Sequence, residues 1–175
     1  LIPAAWLHQA GFNVILFDVR DHGESTTEDG LVSAGQREYR DLLAVWQWIQ
    51  DEKGTAPENI GAVGISMGAG AVTIAFEQEP ALQSIFLESP FSSMGTIIHE
   101  ELEFAGFPPF LKNAAIFAGK VSSGDDLVKY EPINAMDVVG NRSVFITQSL
   151  EDVRINIHHG CLLYTSPSPR DERLS

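Results

Sequence analysis

Ile60-Gly61-Ala62-Val63-Gly64-Ile65-Ser66-Met67-Gly68-Ala69-Gly70 is the stretch whose reading decides the fold. It is entered through the turn-like Thr55-Ala56-Pro57-Glu58, reads as a short apolar strand over 59–65, and continues into an alanine-rich helical pattern from Met67 to Glu79 that Pro80 stops. At the junction, Gly64-Ile65-Ser66-Met67-Gly68 is a G-x-S-x-G pattern. A serine hydroxyl becomes a useful nucleophile where a sharp strand-to-helix turn lifts it clear of the backbone, and such a turn has room only for small residues two places either side. The turn also puts the Met67 N–H at a helix start, where unpaired amides and the helix dipole favour a developing oxyanion. With this glycine and serine content, chance supplies about 0.1 such patterns per chain. The strand before and the helix after therefore carry the reading of a nucleophile elbow over that of a structural Gly-Ser turn.

Outward from the elbow, strand and helix patterns alternate. Ile2 to Ala10 reads as a helix closed by Gly11, and 13–18 as a strand buried on both faces. His22 sits in the loop that follows and reads as a structural loop histidine. Ser33-Ala34-Gly35-Gln36 has the spacing of a capping box. The helix it opens carries a buried stripe of Tyr39, Leu42, Leu43, Trp46 and Ile49, with Glu38, Arg40, Asp41, Gln47 and Asp51 on a solvated face and Gly54 at its end. A further strand over 83–87 leads to Glu88, expected to cap nearby amides, with orientation of a catalytic base as the alternative. Two amphipathic helices lie between Phe91 and Asn141, separated by Gly106-Phe107-Pro108-Pro109; they suit either a cap over an apolar acyl pocket or closure of the core. The last strand, over 143–147, delivers Gln148-Ser149-Leu150-Glu151-Asp152, and an acid there stands where a Ser-acid-His triad places its carboxylate. Asp152 fills that place and Glu151 is its competitor. Such alternation implies an α/β fold with a mostly parallel sheet and flanking helices.

The composition narrows the function classes. A chain of 175 residues, 44% hydrophobic, suits one domain with a sizeable core. A net charge of −13 argues against nonspecific nucleic-acid binding. No apolar stretch approaches the roughly 20 residues of a membrane-spanning helix. Leu1-Ile2-Pro3 offers neither an initiator Met nor a basic signal region, which suggests a natural start elsewhere. The single cysteine, Cys161, cannot form an internal disulfide, no Cys and His spacing resembles a zinc site, and Asp125-Asp126 does not match a calcium loop. No metal or organic cofactor is expected.

Four segments in order carry a resemblance. Phe17-Asp18-Val19-Arg20-Asp21-His22-Gly23-Glu24-Ser25, Gly64-Ile65-Ser66-Met67-Gly68-Ala69, Glu88-Ser89-Pro90-Phe91-Ser92-Ser93 and Asp152-Val153-Arg154-Ile155 resemble motifs of the α/β-hydrolase superfamily. Within it the chain looks most like bacterial serine hydrolases similar to dienelactone hydrolases and prolyl-oligopeptidase-type catalytic domains. The resemblance implies Ser66 as nucleophile, Met67 as oxyanion donor and Asp152 as acid. It implies a small-molecule ester or related acyl substrate cleaved through an acyl-enzyme, with a peptidase or thioesterase as runner-up and a noncatalytic binding module as the reading from another class. Asp21 stands where the family usually has Gly, and Gln148-Ser149 where it often has His-Gly.

By the same resemblance, the first strands and the loop giving the second oxyanion N–H would precede Leu1, and the catalytic histidine would follow one more helix and strand beyond Asp152. His158 and His159 come too soon and read as the start of the next helix. The chain is thus expected to be an inactive or nearly inactive fragment: 1–160 a partial, incomplete α/β-hydrolase domain with a cap-like helical insertion at about 93–135, and 161–175 a non-native tail. Cys161-Leu162-Leu163-Tyr164-Thr165-Ser166-Pro167-Ser168-Pro169-Arg170-Asp171 resembles a one-frame translation of a sequencing-library adapter, and Pro167 and Pro169 forbid a helix there.

Overall fold

The computed structural model describes residues 2–166; Pro167, Pro169 and the rest of the tail lie outside the described residues. Contacts divide the chain into two units, Leu1–Leu31 and Val32–Ser175. In the first, helix α1 (Ile2–Gln9) is followed by Gly11 at φ +94°, a conformation that glycine adopts without a Cβ penalty. The strand expected over 13–18 is not formed. A strand exists by the ladder it shares, and no described residue pairs with this run, whose Ile15, Leu16 and Phe17 are exposed. The loop after it is held by carboxylates. Asp18 accepts from the Glu24 N–H, and Asp21 Oδ1 accepts from Glu28, Asp29 and Gly30. Asp21 has φ +60°, so this departure from the family's glycine keeps a backbone shape that Asp tolerates better than most residues.

The second unit is built on a parallel sheet of three strands in the order β1 (Gly61–Ile65), β2 (Ser84–Glu88), β3 (Ser143–Thr147). Helix α2 (Tyr39–Lys53) precedes β1 and presents the expected stripe, with Tyr39 and Trp46 buried and Leu42, Leu43 and Ile49 packed against the core. Gly54 closes it at φ +63°. Helix α3 (Met67–Gln78) crosses from β1 to β2 and is buried without interruption from Ala69 to Phe76. A helix enclosed on every side has little need of an amphipathic pattern, which is why this one reads as alanine-rich. Ile74, Phe76, Leu82 and Leu87 are among its fully buried neighbours and members, each contributing roughly 1.5–3 kcal/mol by leaving water.

The chain between β2 and β3 forms α4 (Met94–Phe104) and α5 (Lys112–Ser123), which pack on each other, and then the 3-10 turns Pro132–Val138. No residue of α4 or α5 joins the hydrophobic core of the described residues, and Phe104, Phe110 and Phe117 are exposed. Helix α6 (Ile157–Thr165) begins where the His158-His159 pair suggested, but it runs on through Cys161 to Thr165. Among the described residues only Ser166, next to Pro167, is restricted, with the extended φ −59°, ψ 135° that a pre-proline residue favours. Among the described residues, no helix is long and apolar enough to cross a membrane.

Both ends of α3 are clamped. At its first turn, a Cβ on Gly35 (φ +101°) would stand 2.8 Å from the Ala71 nitrogen, and one on Gly70 would stand 2.6 Å from the Phe91 ring. At its far end the Arg142 guanidinium donates to the carbonyl of Phe76, in the last turn of the helix, and to those of Glu79, Leu82 and Val138 outside it, while lying 3.6 Å from the Phe76 ring centroid.

The segment that presses on the first turn is fixed by Glu38, which departs from expectation. Glu38 is 1% exposed rather than solvated, and its carboxylate accepts from the Ser33 hydroxyl at 2.6 Å, the Ser33 N–H and the Gly35 N–H. The expected capping box thus closes on Glu38. Gln36 instead reaches across to Tyr130, donating to its carbonyl at 2.7 Å and accepting its N–H at 3.0 Å. Burial pushes the Glu38 carboxyl up, but the Ser33 and Gly35 hydrogen bonds outweigh it and hold the carboxyl below its ordinary value. Ionised Glu38 therefore stabilises the fold above its unfolded value near 4.5, and that stability is lost as the pH falls through the lower folded value. Glu38→Gln is expected to lower the unfolding free energy at neutral pH by about 1–3 kcal/mol. Denaturant titrations in a pH series should show the gap from the parent chain narrowing in acid; a gap independent of pH would contradict the assignment.

Candidate active site

The strands end in register: Ile65 pairs with Glu88, and Glu88 with Thr147. All three carboxyl ends therefore reach the same level, and the next residues step off the sheet together. The Ser66 N–H donates to the Glu88 carbonyl and the Ser89 N–H to the Thr147 carbonyl, each at 2.9 Å, carrying the ladder one residue past the strands. Both serines have positive φ, +53° at Ser66 and +48° at Ser89. Ser66 pairs its φ with ψ −115°, outside the left-handed helical well, a geometry that costs about 1–3 kcal/mol and persists only where the surroundings over-determine it.

The surroundings are the close approach of β1 to α3. A Cβ on Gly64 would collide with the Gly68 carbonyl and stand 2.7 Å from Ala69 Cα. The Gly68 Cβ position, in contrast, meets nothing within 4 Å. The expected symmetry of the G-x-S-x-G pattern is thus uneven, with the steric demand falling on Gly64. Ser66 is exposed, and its hydroxyl has no hydrogen-bond partner among the described residues. Its carbonyl accepts from Ala69 and Gly70, while the Met67 N–H, first of the helix, meets no acceptor among the described residues. Ser66 thus presents an exposed hydroxyl beside an open amide at a helix N-terminus, a place that favours negative charge.

Asp152 lies on the loop after β3 at the same end of the sheet. Its carboxylate accepts from the Ile155 N–H at 2.9 Å and the Arg154 N–H at 3.0 Å, and the Ser89 hydroxyl donates to it. These bonds, the one from Ile155 first, hold the Asp152 carboxyl below its usual range despite partial burial. Gln148 closes the loop by donating to the Ile155 and Asn156 carbonyls. Glu151 is exposed. The Glu88 carboxylate caps no amide among the described residues; its contribution is the carbonyl that fixes Ser66. His22, in the first unit, bonds the Arg20 carbonyl through Nδ1 at 2.9 Å.

Histidines of the second unit gather elsewhere. His99 pairs with Glu103, and His158 and His159 each place Nε2 at 3.1 Å from one oxygen of Glu100. His159 is fully buried and takes the Ser92 N–H at 3.2 Å and the Ser92 hydroxyl at 2.8 Å on Nδ1. Burial lowers its proton affinity against the pull of Glu100. Sequence reasoning missed Ser89 as the partner of Asp152 and the three-residue group of Glu100, His158 and His159. The signal for Ser89 was present in its place directly after a strand end; Glu100 stands too far along the chain from the histidines for spacing to reveal it.

A G-x-S-x-G turn between a parallel strand and a buried helix, with Asp152 on the loop after the strand two places along the same sheet, defines an incomplete α/β-hydrolase fold. Residues 3–136 match the family described as "Serine aminopeptidase, S33", and the chain belongs to that α/β-hydrolase family. Two Escherichia coli proteins, both described as an uncharacterized 31.7 kDa protein in the traX-finO intergenic region, are each 32% identical over 113 residues, which cover 64% of this chain and 39% of the relative. The chain thus spans about two fifths of the length of the curated relatives it matches.

The contrast between the two glycines is testable. Gly64→Ala is expected to destabilise the chain by about 1–3 kcal/mol, because backbone atoms of Gly68 and Ala69 cannot yield as a side chain can. Gly68→Ala should be neutral or stabilising by up to roughly 1 kcal/mol, since it improves helix propensity in open space. Thermal denaturation of both variants checks the difference.

Proposed function

We propose that the chain carries the nucleophile and acid of a serine hydrolase that cleaves an ester or related acyl bond through an acyl-enzyme. The observation that carries this reading is Ser66: an exposed hydroxyl in strained backbone, next to the open Met67 N–H at the start of α3. Ser66 Oγ attacks the carbonyl carbon, a histidine takes the hydroxyl proton and returns it to the leaving group, and the Met67 N–H donates to the oxyanion. Water then hydrolyses the acyl-enzyme by the same route in reverse roles. Asp152, kept ionised by Ile155, Arg154 and Ser89, holds the histidine in the tautomer that accepts the proton.

None of His99, His158 and His159 bonds Ser66 or Asp152, so in this proposal the base is a histidine outside these three. The exposed aromatics of α4 and α5 support a cap that shapes an apolar acyl pocket. The likeness to dienelactone-hydrolase and prolyl-oligopeptidase-type domains, and the reading of 161–175 as a non-native tail, belong to the same proposal. A peptidase is the second reading, favoured by the aminopeptidase description of the matching family. Ester and amide bonds share the triad and differ in the pocket.

The test uses a longer protein that contains this chain and extends to the length of its relatives. Ser66→Ala is expected to abolish covalent labelling by an acyl-trapping probe and to lower kcat by at least about 10⁴-fold, with Asp152→Asn losing a comparable factor. Equal labelling of the parent and the Ser66→Ala form would refute the nucleophile and favour a noncatalytic binding module.

A further inference from the structure

The group of Glu100, His158 and His159 is not used by the acyl-transfer chemistry. Its ligand-type atoms, one carboxylate oxygen and two imidazole nitrogens, all lie within 4.8 Å of one another and come from two helices, α4 and α6. The two rings stand 4.2 Å apart at 30°, so both Nε2 atoms address the same carboxylate. We propose that Glu100, His158 and His159 form a binding site for a divalent transition metal of the zinc type.

Two imidazoles and a carboxylate are a donor set suited to zinc, and three protein ligands leave the fourth tetrahedral position to water. Metal–ligand bonds of about 2.0–2.2 Å place tetrahedral ligand atoms roughly 3.3–3.6 Å apart; each Nε2 lies 3.1 Å from a different oxygen of Glu100, and the three ligand atoms, one from each residue, lie within 4.8 Å of one another, so a metal would draw them together. The site has an entry path, because the His158 and Glu100 side chains are 42% and 28% exposed. It also has support behind the buried ligand, since Ser92 Oγ lies 2.8 Å from His159 Nδ1.

The protons balance. The Ser92 N–H now donates to Nδ1, which places the ring hydrogen of neutral His159 on Nε2, facing Glu100. Metal binding requires that hydrogen to move to Nδ1, where Ser92 Oγ can accept it, and frees the Nε2 lone pair. The longer Ser92 N–H bond is given up, which makes the site one of modest affinity. His158, with no second ring partner among the described residues, changes tautomer without such a loss.

Stripped of metal with a chelator and titrated with Zn²⁺ alone in a calorimeter, the 175-residue chain is expected to take up one ion. Zn²⁺ should also raise its Tm. Cys161→Ser, which removes the exposed thiol on α6, should leave uptake unchanged. Glu100→Gln and His158→Gln should each weaken binding by at least about tenfold and abolish the rise in Tm. Circular dichroism checks that each variant is folded, and His158→Gln, at a half-exposed ring, carries the test if Glu100→Gln does not fold. No 1:1 uptake by the parent chain, or unchanged affinity in His158→Gln, would overturn the site.

Discussion

The close approach of β1 to the first turn of α3 is the constraint on which the rest of the second unit depends. Gly64 has no Cβ, and the backbone of Gly68 and Ala69 occupies the space where one would lie. That contact forces the chain to reverse within one residue, and Ser66 takes the strained dihedrals that result. The strain is held by packing further along the helix. Gly35 and Gly70 let the 33–36 segment and Phe91 press on the first turn, Glu38 fixes that segment from beneath, and Arg142 satisfies the carbonyls at the other end. A helix enclosed this completely cannot shift to relieve its own N-terminal turn.

The same economy anchors the loop that carries Asp152. Because the strands end in register, residues one step beyond them are neighbours without any long loop to arrange it. Ser89 is the clearest instance. Its N–H extends the ladder to Thr147, its backbone turns at positive φ, and its hydroxyl reaches Asp152, so one residue ties the end of β2 to the acid loop after β3. Three residues later Ser92 holds His159, so the short segment after β2 secures both the acid loop and α6.

What could be read from the sequence is what local periodicity and turn chemistry govern. The elbow, the stripe of α2, its glycine cap and the strand over 143–147 all follow from residues close together in the chain. The place of Asp152 on the loop after the last strand is equally local. Apart from Glu38, whose partners Ser33 and Gly35 are close in the chain, the misses share one physical cause, dependence on partners far along it. The run at 13–18 has strand composition, but a strand needs a neighbour to pair with. Glu38 looks like a surface residue because charge is usually solvated, yet three hydrogen bonds make its burial favourable. Gln36 fits a local cap and instead pairs with Tyr130, 94 residues away. Glu100 and the His158-His159 pair show no motif because no spacing rule links α4 to α6.

The central claim is that Ser66 Oγ and the Met67 N–H act on one carbonyl. A crystal structure of the longer protein after reaction with an organophosphorus acyl mimic tests it most directly. The account predicts a covalent bond to Ser66 Oγ, with the phosphoryl oxygen about 2.7–3.1 Å from the Met67 nitrogen. An adduct on another residue, or a phosphoryl oxygen directed away from Met67, would contradict it.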